Sequence, residues 1–158
     1  MPRSLPLARL CDAFYIGGTK CGALLGEAVV IPNPQLFPHM TTIIKQHGAL
    51  LAKGRLLGIQ FDELFKDKLY QTIGKDAISY AKQIRLACKN ASLPLYFENP
   101  TNQVFCIVND EQMKKLAQKV SFSYWEKYDD NHTIIRFATA WSSRKKDVEA
   151  LCRVIEEL

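Results

Sequence analysis

The segment from Asp12 to Ala28 constrains the fold most, because an apolar run at each of its ends flanks a glycine-rich stretch around Lys20. Residues 12–16 end an apolar run that predicts a buried strand, and Gly17–Gly18 predict a permissive turn. Residues 27–31 form a β-rich run that stops at the prolines after it. We therefore predict two short strands, with Lys20 in the loop that joins them.

Small residues beside Lys20 leave space around its amine. A lysine amine attacks a carbonyl only when it is unprotonated, and partial burial or a nearby positive charge lowers its pKa to that end. Pyridoxal phosphate is the commonest cofactor held through such a bond. The alternative is an ordinary lysine in a glycine-rich loop, and spacing alone leaves both interpretations open. The next residue, Cys21, is expected to be a small packing residue, with a redox or nucleophilic role as the alternative.

Periodicity along the rest of the chain indicates an α/β protein. Apolar positions at helical intervals predict one or two helices within residues 35–66, and the clearest helix over residues 68–91. Turn-forming residues near 90–95 mark the best domain boundary. Beyond it we predict strands at Leu95–Glu98, Gln103–Val108, Phe122–Glu126 and Thr133–Ala138, and helices at Asp110–Val120 and Ser143–Leu158.

Composition narrows the classes of protein that this chain can represent. With 158 residues, 47% of them hydrophobic, it can bury a sizeable core. The sequence has neither a membrane-length apolar run nor a secretion signal, which favours a cytoplasmic protein with no membrane partner. Its net charge of +5 is spread over helix-like segments without a nucleic-acid-binding motif, so no nucleic-acid partner is expected. Five cysteines without a Cys-x-x-Cys pair predict reduced packing residues and no metal site.

Four separated blocks of the sequence together resemble one enzyme family. They are Asp12–Ala28, Ile44–Phe61, Thr101–Phe105 and Ile135–Ser142. In this order they are similar to the threonine aldolase and aromatic amino acid β-eliminating lyase family. The resemblance covers nearly the whole chain but only the carboxy-terminal portion of a family member.

The resemblance implies a fold, a domain division and a cofactor. The fold would be the last part of a pyridoxal-phosphate-dependent transferase of the aspartate aminotransferase type, fold type I. Residues 1–92 would form the end of the large-domain sheet with linking helices, and residues 93–158 a small α+β domain. Lys20 would hold pyridoxal 5'-phosphate as a Schiff base. The aspartate that pairs with the ring nitrogen, the ring-stacking histidine and the Gly/Ser phosphate donors would precede the residues given.

Arg136 is the second candidate site residue, because it lies in an apolar strand where a guanidinium requires a partner. That partner is either an internal Asp or Glu or the carboxylate of an amino-acid substrate, which a planar guanidinium fork binds in bidentate fashion. The residues alone leave both open. The resemblance implies the substrate α-carboxylate.

Two further lysines are candidates through the resemblance. Lys45 lies in a helix-like segment where an exposed position is the simple interpretation, and the family has a lysine near the active site at the matching place. Lys53 falls where relatives carry a basic residue that reaches the cofactor phosphate of a neighbouring subunit. The histidines of the chain, His39, His47 and His132, receive no catalytic assignment.

The function that follows is a pyridoxal-phosphate-dependent lyase that cleaves a β-hydroxy amino acid into glycine and an aldehyde. We expect the isolated chain to be incomplete, and to assemble as a homo-oligomer or with a full-length relative. The alternative is a non-catalytic truncated fragment of the family that acts as a structural or interaction module.

Overall fold

A computed structural model describes residues 7–158, which form two compact units that divide between Thr72 and Ile73. Each unit is described by itself. The division falls inside the stretch predicted as linking helices, ahead of the boundary expected between residues 92 and 93. The assignment of residues 1–92 to a large domain and of residues 93–158 to a small one stays a prediction. Within residues 7–158, no helix is both long and apolar enough to cross a membrane.

The first unit contains a two-stranded hairpin and short helices. Strands β1 and β2 pair antiparallel, from Phe14 opposite Val30 to Gly17 opposite Glu27, as predicted for the strands that flank Lys20. Two helices follow within the stretch predicted to contain one or two. The elements are α1 (Leu7–Leu10), β1 (Phe14–Gly17), β2 (Glu27–Val30), a 3₁₀ helix (Pro34–Leu36), α2 (Met40–Gln46), α3 (Arg55–Phe65), a 3₁₀ helix (Lys66–Lys68) and α4 (Leu69–Thr72).

The helix predicted over residues 68–91 is broken in the structure. α4 ends at Thr72, and α5 begins at Lys75 after Gly74, which occupies the N-cap position without a side-chain cap. Glycine lowers helix stability because its backbone has more freedom to lose, so a break at this residue is physically reasonable. α5 then packs against the sheet of the second unit.

The second unit is a three-stranded antiparallel sheet with helices on one face. The strand order is β3-β5-β4, with Cys106 of β3 opposite Ile135 of β5 and Ser123 of β4 opposite Arg136 of β5. The elements are α5 (Lys75–Asn90), β3 (Gln103–Asn109), α6 (Asp110–Lys119), β4 (Ser123–Lys127), β5 (His132–Ala138) and α7 (Lys145–Glu156). Apart from α5, their bounds lie close to those predicted from the sequence.

The core of the second unit lies between the sheet and its helices. Alternate residues of β3 and β5 point to the same face, as strand geometry requires, and meet apolar residues of α5, α6 and α7. The buried members include Ala81, Ile84, Cys88, Val104, Cys106, Leu116, Ile135, Phe137, Val148 and Ile155.

The strand predicted at Leu95–Glu98 forms only an isolated bridge between Leu95 and Cys106. The backbone N–H of Tyr96 donates to the carbonyl of Phe105 at 3.0 Å, and that of Ile107 donates to the carbonyl of Pro94 at 2.9 Å. Proline cannot donate to a ladder, so Pro94 limits pairing on this side. The segment still lies along the edge of β3.

Candidate functional site

The loop that carries Lys20 has a defined backbone. Lys20 lies in a turn directly after β1. The backbone N–H groups of Cys21 and Ala23 both donate to the carbonyl of Gly18, at 2.8 and 3.0 Å. Gly22 adopts a φ of 98°, a left-handed conformation that glycine reaches without steric cost. The sequence Gly-Gly-Thr-Lys-Cys-Gly therefore folds into one compact turn with the lysine near its apex.

Contacts with α3 fix the ends of this loop. The side-chain Oε1 of Gln60 accepts a hydrogen bond from the backbone N–H of Leu24 at 2.6 Å. Gly18 is buried so close to Phe61 that a Cβ there would lie 2.8 Å from the ring. Gly26 has a φ of 90°, and a Cβ there would lie 2.5 Å from Leu57. The loop can approach α3 only because these two positions are glycine.

Tyr70 of α4 contacts the start of the same loop. Its hydroxyl donates to the carbonyl of Gly17 at 2.8 Å. Burial and the neighbouring Cys21 thiol raise the pKa of Tyr70 above its ordinary value. The phenol therefore stays protonated at neutral pH and remains a hydrogen-bond donor to the loop. The sequence contained no signal for this contact, which joins residues far apart in the chain.

The side chain of Lys20 is exposed, in contrast to the partly buried amine considered from the sequence. The small residues that follow it do not cover it. Within residues 7–158 no carboxylate forms an ion pair with its amine. The loop thus presents an accessible amine on a braced backbone, and the partial burial considered from the sequence as a cause of its reactivity is not observed.

The two other candidate lysines also lie in the first unit. Lys45 is exposed near the end of α2, and Lys53 is exposed in the turn before α3. Neither has an ion-pair partner in the part of the chain that the structure describes. The positions agree with the exposed interpretation of Lys45, and a contact of either with a cofactor stays a prediction.

Arg136 lies in the second unit, on the central strand β5. Its strand partners are Phe105 of β3 and Ser123 of β4. Its neighbours Ile135 and Phe137 belong to the buried core. Since successive side chains alternate across a strand, the Arg136 side chain lies on the face of the sheet opposite the helices.

Both hydrogen bonds of the Arg136 guanidinium within the described residues are with neutral side chains. Nη1 donates to Oε1 of Gln103 at 3.1 Å, and Nη2 donates to Oγ of Ser123 at 3.3 Å. The centre of the guanidinium lies 5.5 Å from the ring centroid of Trp125. The buried Nε–H has no acceptor in the part of the chain that the structure describes. The internal Asp or Glu partner considered from the sequence is therefore not observed, and the charge remains available to an external anion.

A cleft of about 450 Å³ lies beside this strand, within the second unit. Arg136 and Ser123 are among its lining residues, together with Phe137 and Val148 of the core on the helix side and the beginning of α7. The second arginine at the cleft, Arg144, already pairs with Asp147 at 2.7 Å. Of these two cationic groups, only that of Arg136 lacks a carboxylate partner among residues 7–158.

The chain is similar in structure to a known enzyme. No family model and no curated protein matches the chain. Among the solved structures that match is a threonine aldolase of Leishmania major, with 35% sequence identity and a TM-score of 0.88 over 96% of this chain. The resemblance to threonine aldolase is confirmed. The predicted α/β fold class is confirmed with it. The matched region spans 44% of the length of the Leishmania threonine aldolase chain.

The match to threonine aldolase covers the units that contain Lys20 and Arg136. The sequence had predicted only some of the residues around Arg136. The strand containing Arg136 was predicted, whereas the partners Gln103, Ser123 and Trp125 were not. Gln103 begins one predicted strand and Ser123 is the second residue of another, so strand pairing was a usable signal for them. Trp125 sits at an irregularity of β4 that alternation cannot reveal.

Proposed function

We propose that this chain forms part of a pyridoxal-phosphate-dependent lyase of the threonine aldolase type. The reaction is cleavage of a β-hydroxy amino acid into glycine and an aldehyde. The observation that carries the proposal is the neutral surrounding of Arg136, in a fold similar to a threonine aldolase. An arginine that is half-buried and has no carboxylate partner among residues 7–158 suits recognition of an external carboxylate.

The described residues fit the parts of the cofactor that they can be tested against. Lys20 offers an exposed amine without an ion-pair partner among residues 7–158, on a loop braced by α3. It would hold the cofactor through that amine. When bound, the cofactor would supply an electron sink for negative charge that develops at the α-carbon of the substrate. Lys45 and Lys53 remain candidates for contact with its phosphate, through charge.

Arg136 would bind and orient the substrate. Its guanidinium is planar and presents several N–H donors, so it can hold both oxygens of an α-carboxylate in one plane. The hydrogen bonds to Gln103 and Ser123 occupy two donors and leave others free. Fixing the carboxylate in this way restricts rotation of the substrate and so favours one reacting geometry.

A second candidate function is a non-catalytic fragment that acts as a structural or interaction module. Extensive exposure of apolar side chains in the first unit favours it, including Leu24 at 85% and Val29 at 65%. Exposed apolar surface of this kind marks an interaction site.

Under either function we propose association with a second copy or a full-length relative. We also propose a cytoplasmic location, which the free thiols of all five cysteines support.

The test of the proposed function is covalent mapping of the cofactor. Purified chain is incubated with pyridoxal 5'-phosphate, its visible absorption is recorded, the bond is reduced with borohydride, and the modified lysine is identified by mass spectrometry. We expect modification at Lys20 that disappears in Lys20→Ala. The matched control is Lys114→Ala, which removes an exposed lysine of the second unit and should leave the adduct intact. Adducts scattered over surface lysines would contradict the attachment.

A second assay separates the two candidate functions. Threonine cleavage is measured for the chain alone and for the chain mixed with a full-length threonine aldolase inactivated at its own cofactor lysine. Cleavage in the mixture that depends on Lys20 would support the lyase. A Lys20 adduct without cleavage in either sample would favour the non-catalytic module.

A further inference from the structure

Arg136 sits at the centre of a neutral set of side chains on the outer face of the second unit's sheet. Gln103 comes from β3 and Ser123 from β4, on either side of β5. Both acceptors are uncharged, although a glutamate at position 103 would fit a similar volume. A carboxylate at that position would neutralise the guanidinium and compete with any external anion. The set thus holds the side chain without reducing its charge.

The third member of this set, Trp125, occupies an irregular position in β4. The pairing register with β5 shifts between Tyr124 and Glu126, so Trp125 is the extra residue of a β-bulge. A bulge bends the strand and changes the direction of a side chain, and bulges are frequent beside functional sites. Here the redirected indole lies 5.5 Å from the centre of the Arg136 guanidinium. Regular alternation alone would not produce this contact.

The indole of Trp125 also packs against an aromatic side chain of β3. Its ring meets Phe105 edge to face, with centroids 5.0 Å apart and planes at 76°. Phe105 is 6% exposed and in turn stacks on Phe97 at 4.9 Å. Rings fixed in this manner have few alternative rotamers. Trp125 itself is 48% exposed, so the contact with Phe105 is what restricts its indole beside Arg136.

We propose that Trp125 is a positioning residue that orients the Arg136 guanidinium for a substrate α-carboxylate, while the neutral acceptors Gln103 and Ser123 preserve its charge. The ligand class is a small amino acid, recognised through its planar α-carboxylate. This inference rests on the proposed function in one respect, the assignment of Arg136 to the substrate. An indole face attracts a guanidinium through the ring quadrupole and restricts its plane. Loss of the indole lets the guanidinium rotate and weakens a bidentate contact that requires one plane.

The experiment measures carboxylate binding directly, without cofactor or turnover. The full chain is labelled with ¹⁵N, and the arginine Nε–H resonance that disappears in Arg136→Lys is assigned to Arg136. Since this N–H is buried, its exchange with water is slow enough for observation. Glycine is titrated as the probe, and glycinamide, which keeps the amine but lacks the carboxylate, is the matched ligand control. We expect a saturable shift with glycine alone.

Two variants then test the role of the indole. Trp125→Ala should weaken glycine binding about tenfold, in proportion to the loss of one cation–π contact. Trp125→Phe keeps an aromatic face and should restore binding to within about threefold of the original chain. Trp141→Phe, a change at the other tryptophan of the chain, is the control and should have no effect. A role in folding alone would lower the thermal midpoint and leave the affinity of the folded protein unchanged.

A third variant tests the neutral surrounding. Gln103→Glu places a carboxylate at nearly the same volume beside Nη1, and should abolish detectable glycine binding. Gln118→Glu adds the same charge on exposed α6 and should leave binding within about twofold, because exposed charges are screened. Equal affinity in the two variants would contradict the charge argument.

The outcomes also separate this inference from the proposed function. Unchanged glycine affinity in Trp125→Ala, or no Arg136-dependent shift in the original chain, would overturn the inference even if cofactor attaches to Lys20. Conversely, a glycine shift that depends on Arg136 and Trp125 would support it even if Lys20 takes no cofactor. If Trp125→Ala does not fold, the affinity of Trp125→Phe decides, since binding equal to that of Trp125→Leu would exclude an aromatic contribution.

Discussion

The two units of this protein differ in how much of their stability comes from their own side chains. In the second unit, apolar residues of two strands and three helices form one buried cluster around Ile135 and Leu116. In the described part of the first unit, Phe61 and Leu64 are the buried hydrophobic residues. The large apolar side chains that this unit exposes include Leu10, Tyr15, Leu24, Val29, Leu50, Leu51, Leu56 and Ile59.

This difference shows that each candidate residue depends on a different kind of support. Arg136 is placed by the central strand β5, where its neighbours Ile135 and Phe137 are buried in the core, so its position follows from that packing. Lys20 is placed by a loop held by Gln60, Tyr70 and close glycine contacts, with little buried apolar area behind it. Burial of apolar surface is the main source of folding stability. The arginine site should therefore be the more robust of the two.

The largest expected effect comes from one isoleucine in each unit. Ile135 is fully buried in β5 and Ile59 is 55% exposed in α3. Ile135→Ala should lower the free energy of unfolding by about 2–5 kcal/mol, because it removes buried methyl groups and leaves a cavity. Ile59→Ala should change it by less than about 0.5 kcal/mol. Chemical denaturation followed by circular dichroism measures both, and equal losses would remove the proposed difference between the units.

A smaller effect is expected from the glycines of the first unit. Gly26 and Gly48 both have positive φ, at 90° and 68°, but only at Gly26 would an added Cβ meet a neighbour, 2.5 Å from the Leu57 side chain. Alanine at either site costs about 1 kcal/mol in backbone strain. Gly26→Ala should cost about 1–3 kcal/mol more, because Leu57 must move. Proteolysis of the first unit measures the difference, and Lys20 labelling by cofactor should fall only in Gly26→Ala.

The sequence predicted regular elements well and supporting contacts poorly, for a physical reason. Strands around Lys20 and Arg136 follow from short apolar and β-rich runs, which a sequence carries directly. The contact between Tyr70 and Gly17 joins distant positions, and the bulge at Trp125 breaks the alternation itself. The predicted helix over residues 68–91 failed at Gly74, where local propensity did indicate weakness. Resemblance, rather than spacing, singled out Lys45 and Lys53.

A third prediction concerns the capping of α6 in the second unit. The side chain of Asn109 accepts from the backbone N–H of Gln112 at 2.8 Å, and that of Gln112 accepts from the N–H of Asn109 at 3.0 Å. This capping box satisfies two otherwise free donors at the start of the helix. Asn109→Ala should cost about 1 kcal/mol. Asn90→Ala is the control, because Asn90 at the end of α5 makes only an exposed hydrogen bond to Glu156 and caps no helix start. Thermal unfolding should show the larger shift for Asn109→Ala.

The smallest effects are expected from pH, and they have opposite signs in the two units. In the second unit, a hydrogen bond from the backbone N–H of Asn131, together with the ring of His132, holds the pKa of Asp129 below its ordinary value. Stability from this group is present above the ordinary pKa and is lost as pH falls through the lowered one. In the first unit, a hydrogen bond to Glu63 is the main cause that raises the pKa of Lys66. Stability from that lysine is present below the ordinary pKa and is lost as pH rises through the raised one.

Because both groups are exposed, each should shift an unfolding midpoint only slightly. The acid effect should appear below about pH 4, the range in which aspartate titrates. It should be reduced in Asp129→Asn, whose amide oxygen can still accept from the backbone. The alkaline effect should appear above about pH 10, where lysine titrates, and be reduced in Lys66→Gln. Urea unfolding followed by nuclear magnetic resonance is the measurement, since resolved signals of α3 and β5 give a midpoint for each unit. Parallel acid losses in the original chain and Asp129→Asn would show that other carboxyl groups dominate the acid sensitivity of the second unit.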